Sequence, residues 1–161
     1  MIKYLLILIT GLISSGCFAV SSTNSEDSCP NRSLDDLYAS YVIYDVVRYR
    51  GGLTSEASAE ARVGKNILVG QAAFKVRDIT ISDPLYEITC YPTTKEGNVD
   101  ANRWSNFYGH GLDREHIKVL HIYTNGEKGE EPFINLEVVD DELWEMHDGW
   151  LYMMKPVSER E

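Results

Sequence analysis

The chain has 161 residues, 43% hydrophobic and 25% charged, enough for one domain with a core of ordinary size. Its formal net charge of −10 sets it against phosphate backbones, which argues against nucleic acid as a partner class. The surplus of Asp and Glu suits a soluble exported protein or one that meets a basic partner.

The N-terminus comes first. Lys3 precedes an apolar run at 4–13, and Ser14-Ser15-Gly16-Cys17-Phe18-Ala19 supplies the small residues that favour cleavage. A run of about ten apolar residues is too short to cross a bilayer, which takes ~20, but fits the core of an export signal. Residues 1–19 are therefore read as a signal peptide and 20–33 as a flexible, Ser-rich lead. Ser15-Gly16-Cys17 resembles the end of a bacterial lipoprotein signal, which implies lipidation of Cys17 and a membrane attachment by that anchor alone. Cleavage after Ala19 would instead release a soluble protein. The expected location is outside the cytoplasm: periplasm, outer-membrane lipoprotein or secreted. Loss of Lys3 takes the formal charge from −10 to −11. Of three cysteines, Cys29 and Cys90 then remain in an oxidising space, and a Cys29–Cys90 disulfide is the economical expectation. Closing a loop of ~60 residues, it would contribute about 4 kcal/mol by chain entropy.

From Leu34 the chain turns strand-like. Residues 38–49 (YASYVIYDVVRY) are dense in Tyr and Val, which suit a pleated surface, and Gly51-Gly52 ends them. Residues 54–63 predict a helix, with Thr54 or Ser55 as cap and Gly64 as stop. Strands follow at 65–70 and 72–81. In the second, Phe74 and Val76 share one face and Ile79 and Ile81 the other, a phase change that suggests a bulge at Arg77-Asp78. Residues 85–91 put Tyr86, Ile88 and Cys90 on one side. Residues 92–114 break the rhythm, and a connection that long tends to carry a short helix or a function. Strands resume at 116–124, 133–139, 142–147 and 150–155; Asp140-Asp141 and Asp148-Gly149 mark tight hairpins.

About eight strands without βαβ alternation predict a mainly β (α+β) domain over 34–157. It would be a single antiparallel barrel or strongly curled sheet, with one short helix after the first strand and a second near 100–109. The early helix and the run of hairpins ending on an aromatic strand resemble the architecture of small lipocalin-like (calycin) barrels over 34–156. That resemblance implies a binding protein with a ligand inside the barrel.

No catalytic or cofactor motif stands out, so no enzyme and no cofactor is expected. There is no Gly-x-Ser-x-Gly, no phosphate loop and no Cys-x-x-Cys. His116 and His121 fall on opposite strand faces, which argues against a shared metal. Asp140-Asp141 and Glu130-Glu131 sit at turns, where solvated carboxylates are ordinary. The richest stretch is Arg103 to Gly111, where Arg103, Trp104, Phe107, Tyr108 and His110 gather hot-spot residue types beside glycines. Read as a helix, it puts Trp104, Phe107 and Tyr108 on one face, as a plug for a barrel end; read as a loop, it binds.

Two functions follow as expectations. One is a small-barrel carrier or sensor of an apolar or amphipathic ligand, its cavity lined by Tyr41, Ile43, His121, Tyr123, Trp150 and Tyr152. The other is an acidic protein–protein module, such as an inhibitor or immunity protein facing a basic exported enzyme.

Overall fold

The computed structural model describes residues 33–93, 103–124, 128 and 131–158. The signal region with Cys17, the lead with Cys29, and positions 100–102 lie outside the described residues. The strands are β1 (Ala39–Arg48), β2 (Asn66–Val69), β3 (Ala73–Val76), β4 (Ile79–Ser82), β5 (Leu85–Pro92), β6 (His116–Tyr123), β7 (Ile134–Val139), β8 (Glu142–His147) and β9 (Trp150–Pro156). One α-helix, α1 (Glu56–Glu60), and two 3-10 turns, Asp35–Leu37 and Ser105–Tyr108, accompany them.

All nine strands join one antiparallel sheet in the order β4-β3-β2-β1-β9-β8-β7-β6-β5. The first strand is interior, pairing with β2 on one side and with β9, the middle strand, on the other. The two edges, β4 and β5, are consecutive in the chain, so the ladder runs round a curl that opens between them. The fold is thus the mainly β, strongly curled antiparallel sheet that the pattern predicts.

Local chemistry sets the turns. Val76 pairs with Ile79, so the phase change at Arg77-Asp78 is a hairpin turn and not a bulge. Arg77 takes φ 55°, which reverses the chain and splits the expected 72–81 strand in two. A true register shift lies in β1 between Ile43 and Asp45. At the last hairpin Asp148 and Gly149 take φ 45° and 87°. A Cβ on Gly149 would lie 2.8 Å from the Arg50 carbonyl oxygen, so both space and backbone require glycine. Helix α1 is shorter than the expected 54–63: Ser55 caps it by accepting from the Ser58 N–H, while Thr54 is held by Asp148.

One face of every strand builds the core on the concave side. Tyr41, Ile67, Phe74, Leu120, Leu136, Leu143 and Tyr152 are each within 2% of full burial there. Burying side chains of this size contributes about 1.5–3 kcal/mol apiece before entropy. Polar contacts among the described residues span the curl: Tyr86 Oη donates to the Gly70 carbonyl (2.9 Å), and Arg77 on the β3–β4 turn reaches Glu145 on β8 (2.9 Å).

Candidate functional site

Residues on the convex side of β6 and β7 alternate with the core, so solvent should claim them; it does not. Ile117, Val119, His121, Tyr123 and Glu137 are buried. The chain at 103–114 lies against this outer face as a strap: Ser105 and Arg114 bond Glu137, and Trp104 packs on Tyr91.

A buried carboxylate fastens the strap. Glu137, 2% exposed, accepts the Ser105 N–H at 2.6 Å, the Ser105 hydroxyl at 2.7 Å and Arg114 Nη1 at 2.9 Å. Arg114 also donates to Ser105 Oγ (2.5 Å) and to the Gly111 carbonyl (3.0 Å), and its guanidinium lies over the Trp144 ring at 5.3 Å. Gly111 has φ +59°, and a Cβ there would sit 2.6 Å from Arg114 Nε, so this approach needs glycine. A carboxylate removed from water is tolerable only when paired and hydrogen-bonded, and here both conditions hold. Ser105 has no exposed surface and its hydroxyl is committed, so the cluster is a clip and not a nucleophile with its base.

The clip leaves a groove. Trp104 packs on Tyr91 with centroids 5.4 Å apart and stands between two adjoining clefts. The first, about 310 Å³, is walled by Tyr49, Arg50, Arg103, Tyr108 and Trp144. The second, about 320 Å³, is walled by Glu87, Tyr91, His121, Tyr123 and Lys128; Trp104 and Asn135 line both. Tyr49 packs on Tyr108 at 4.6 Å, Phe107 on Tyr108 at 5.0 Å, and Arg103 lies 5.1 Å from the Phe107 ring.

Polar groups in the second cleft are oriented by their neighbours. His121 Nδ1 donates to Asn135 Oδ1 at 2.6 Å, leaving Nε2 to face the Tyr91 hydroxyl at 3.4 Å. Glu87 accepts from Lys128 (2.8 Å) and from the Tyr123 hydroxyl (3.2 Å). The Lys128 hydrogen bond holds the Glu87 carboxyl below the usual carboxylate range, and the same bond raises Lys128. The Trp104 indole N–H is buried without an acceptor among the described residues.

The concave side has its own charged cluster. Glu145, 1% exposed, accepts Arg62 at 2.5 Å and Arg77 at 2.9 Å, and the Arg62 guanidinium lies 3.6 Å from the Tyr152 ring centre. At this mouth is a cavity of about 410 Å³ among Ile43, Ile67, Arg62, Lys65 and Arg77.

The residues singled out from sequence divide between these regions. Arg103, Trp104 and Tyr108 line the groove; Phe107 is 46% exposed at its rim. His110 lends its carbonyl to Ser105 Oγ at 3.5 Å. The expected helix there is a 3-10 turn ending at Gly109, so Trp104, Phe107 and Tyr108 do not form one buried stripe, and the segment covers a sheet face and not a barrel end. Tyr41, Ile43, Trp150 and Tyr152 belong to the concave core, whereas His121 and Tyr123 lie across the sheet from them. The expected common lining of these six is therefore corrected: alternation was right within each strand, but the phase between strands is set by pairing. Cys90, on β5, is half-buried; Cys29, its expected partner, lies outside the described residues, as does Cys17.

Sequence reasoning missed Glu137, Glu145, Arg62, Arg77, Arg114 and Ser105. The available signal was the lone Glu in mid-strand of β7 and of β8, each between apolar neighbours. Among the described residues no group of three or more His, Cys, Asp or Glu could hold a metal ion. No protein-family model, curated protein or solved structure matches the chain.

Proposed function

We propose that this chain is an exported, non-enzymatic binding protein whose recognition site is the strap-and-sheet groove on the outer face. One observation carries the reading: aromatic rings stay partly open along a groove whose wall is locked in place by a buried carboxylate. Half-exposed rings on a rigid support supply contact area at low entropic cost, which is what binding sites need. Arg50 and Arg103 make one end cationic on a chain of formal charge −10. That local reversal favours an anionic group in the groove over the basic partner that the net charge alone suggests.

A second reading places an amphipathic ligand at the concave mouth, favoured by the cavity of about 410 Å³ with Ile43 and Ile67 under Arg62 and Arg77. Cleavage of the leader and the Cys29–Cys90 bridge belong to the proposal of export, and intact mass and peptide mapping of the mature protein report both.

The three tryptophans separate the readings. Trp104 and Trp144 line the groove, whereas Trp150 donates its indole N–H to the Thr54 carbonyl at 2.9 Å and packs in the core. In a small-molecule screen read by indole N–H resonances, the groove reading expects saturable shifts of Trp104 and Trp144 with Trp150 unmoved. Shifts confined to Trp150, or to the Arg62 and Arg77 side chains, would transfer the site to the concave mouth.

A further inference from the structure

We infer that the groove takes an acidic oligosaccharide, a chain of linked sugar rings with a carboxylate at the Arg50–Arg103 end; this rests on the groove being the binding site.

Three features lead there. The lining is the first. An aliphatic ligand would call for Leu, Ile and Val walls, but these clefts are lined chiefly by aromatic rings and by the planar polar groups of Asn135, His121, Arg103 and Glu87, with Met146 and Pro132 as apolar additions. A sugar ring needs both kinds. Its C–H face packs on an aromatic face, and its hydroxyls, each donor and acceptor, need flat amide, imidazole, carboxylate and guanidinium partners around the edge.

Spacing is the second feature. The clefts are of nearly equal size, about 310 and 320 Å³, and each lies at the small end of ligand pockets, which span roughly 300–1,000 Å³. They adjoin at Trp104 and Asn135, so a chain of rings fills both where a single compact ligand fills one.

The third is charge along the groove. Among the described residues Glu137 is the carboxylate that lines the first cleft, and it is already matched by Arg114, so no described lining carboxylate is left to pair with Arg50 or Arg103. In the second, Glu87 is matched by Lys128. The surplus therefore sits at one end, and guanidinium forks suit carboxylates.

The test is titration of the mature protein with tetragalacturonate and, as the neutral control, cellotetraose, followed by calorimetry and by the Trp104 indole resonance. We expect tetragalacturonate to bind at least about tenfold more tightly, each charge-assisted contact being worth about that factor. Replacing Arg50→Ala with Arg103→Ala should erase the preference. Trp104→Phe, which keeps a ring but shrinks the aromatic face that lines both clefts, should weaken both sugars by several-fold without unfolding the chain. Equal affinity for the two sugars, or a preference that survives loss of both arginines, overturns the inference. If other compounds shift Trp104 and Trp144 but neither sugar does, the ligand class fails and the groove stands; if nothing shifts them, both fail.

Discussion

Glu145 and Glu137 sit on adjacent strands of one sheet, are almost equally buried, and point to opposite sides. On the concave side Glu145 ties the segment after α1 and the β3–β4 turn to β8 through Arg62 and Arg77. On the convex side Glu137 ties the 103–114 strap to β7 through Ser105 and Arg114. The same device does different work. The inner clip spans the curl and so holds the fold, whereas the outer clip holds a wall of a groove beside rings that stay partly exposed. A carboxylate buried in a strand is thus evidence of what it fastens, and function must be sought in what the fastened segment leaves open.

Removing each clip breaks the comparison in its own way. Glu145→Ala leaves two guanidiniums facing a core without a counter-charge, and should cost about 3–5 kcal/mol, seen as a large fall in the urea midpoint. Glu137→Ala strands Arg114 and the Ser105 donors, but the strap can lift and let water reach them, so the expected cost is smaller, about 2–3 kcal/mol. Ligand response at Trp104 should vanish in Glu137→Ala and persist in the folded fraction of Glu145→Ala.

Two pH effects sharpen the picture on the concave side and its rim. Tyr86, which bonds Gly70 across the curl, is pushed up to about 12, chiefly by burial. An unfolded tyrosine ionises near 10, so this contribution is full below about pH 10 and is lost as pH rises towards 12. Tyr44 is likewise pushed up to about 12, chiefly by burial, so absorbance of tyrosinate against pH should show a late titration of both, and Tyr86→Phe should remove the Tyr86 share of it. Asp148 is the smaller case. Its hydrogen bonds from Thr54 and Leu53 hold its carboxyl below the usual range, so its contribution is present above about pH 4 and fades as pH falls through the lowered value. Asp148→Asn, which tolerates φ 45°, should make the protection factors of the Leu53 and Thr54 amides independent of pH through the acid range.

Much of the fold was legible because strand periodicity is local. The Asp148-Gly149 and Asp140-Asp141 turns, the Ser55 cap and the alternation of Ile134, Leu136 and Val138 are all written within a few residues. Arg77-Asp78 was misread because a phase change looks alike in a bulge and a hairpin until the partner strand is known. The site was legible by composition alone: Arg103, Trp104 and Tyr108 stood out as residue types. Which face they cover depended on Glu137, which looks like any solvated strand carboxylate, and on Tyr49, Tyr91 and Asn135, which reach the groove only through the pairing of distant strands.

Amide hydrogen exchange on Glu137→Ala tests the central claim most directly, that one buried carboxylate holds the groove wall on an otherwise independent sheet. The amides of Phe107, Gly109 and His110, bonded in the wild type to Trp104, Asn106 and Ser105 carbonyls, should lose protection while the β1–β9 ladder keeps its own. Unchanged protection in the strap, or loss spread evenly over strap and ladder, would contradict the account.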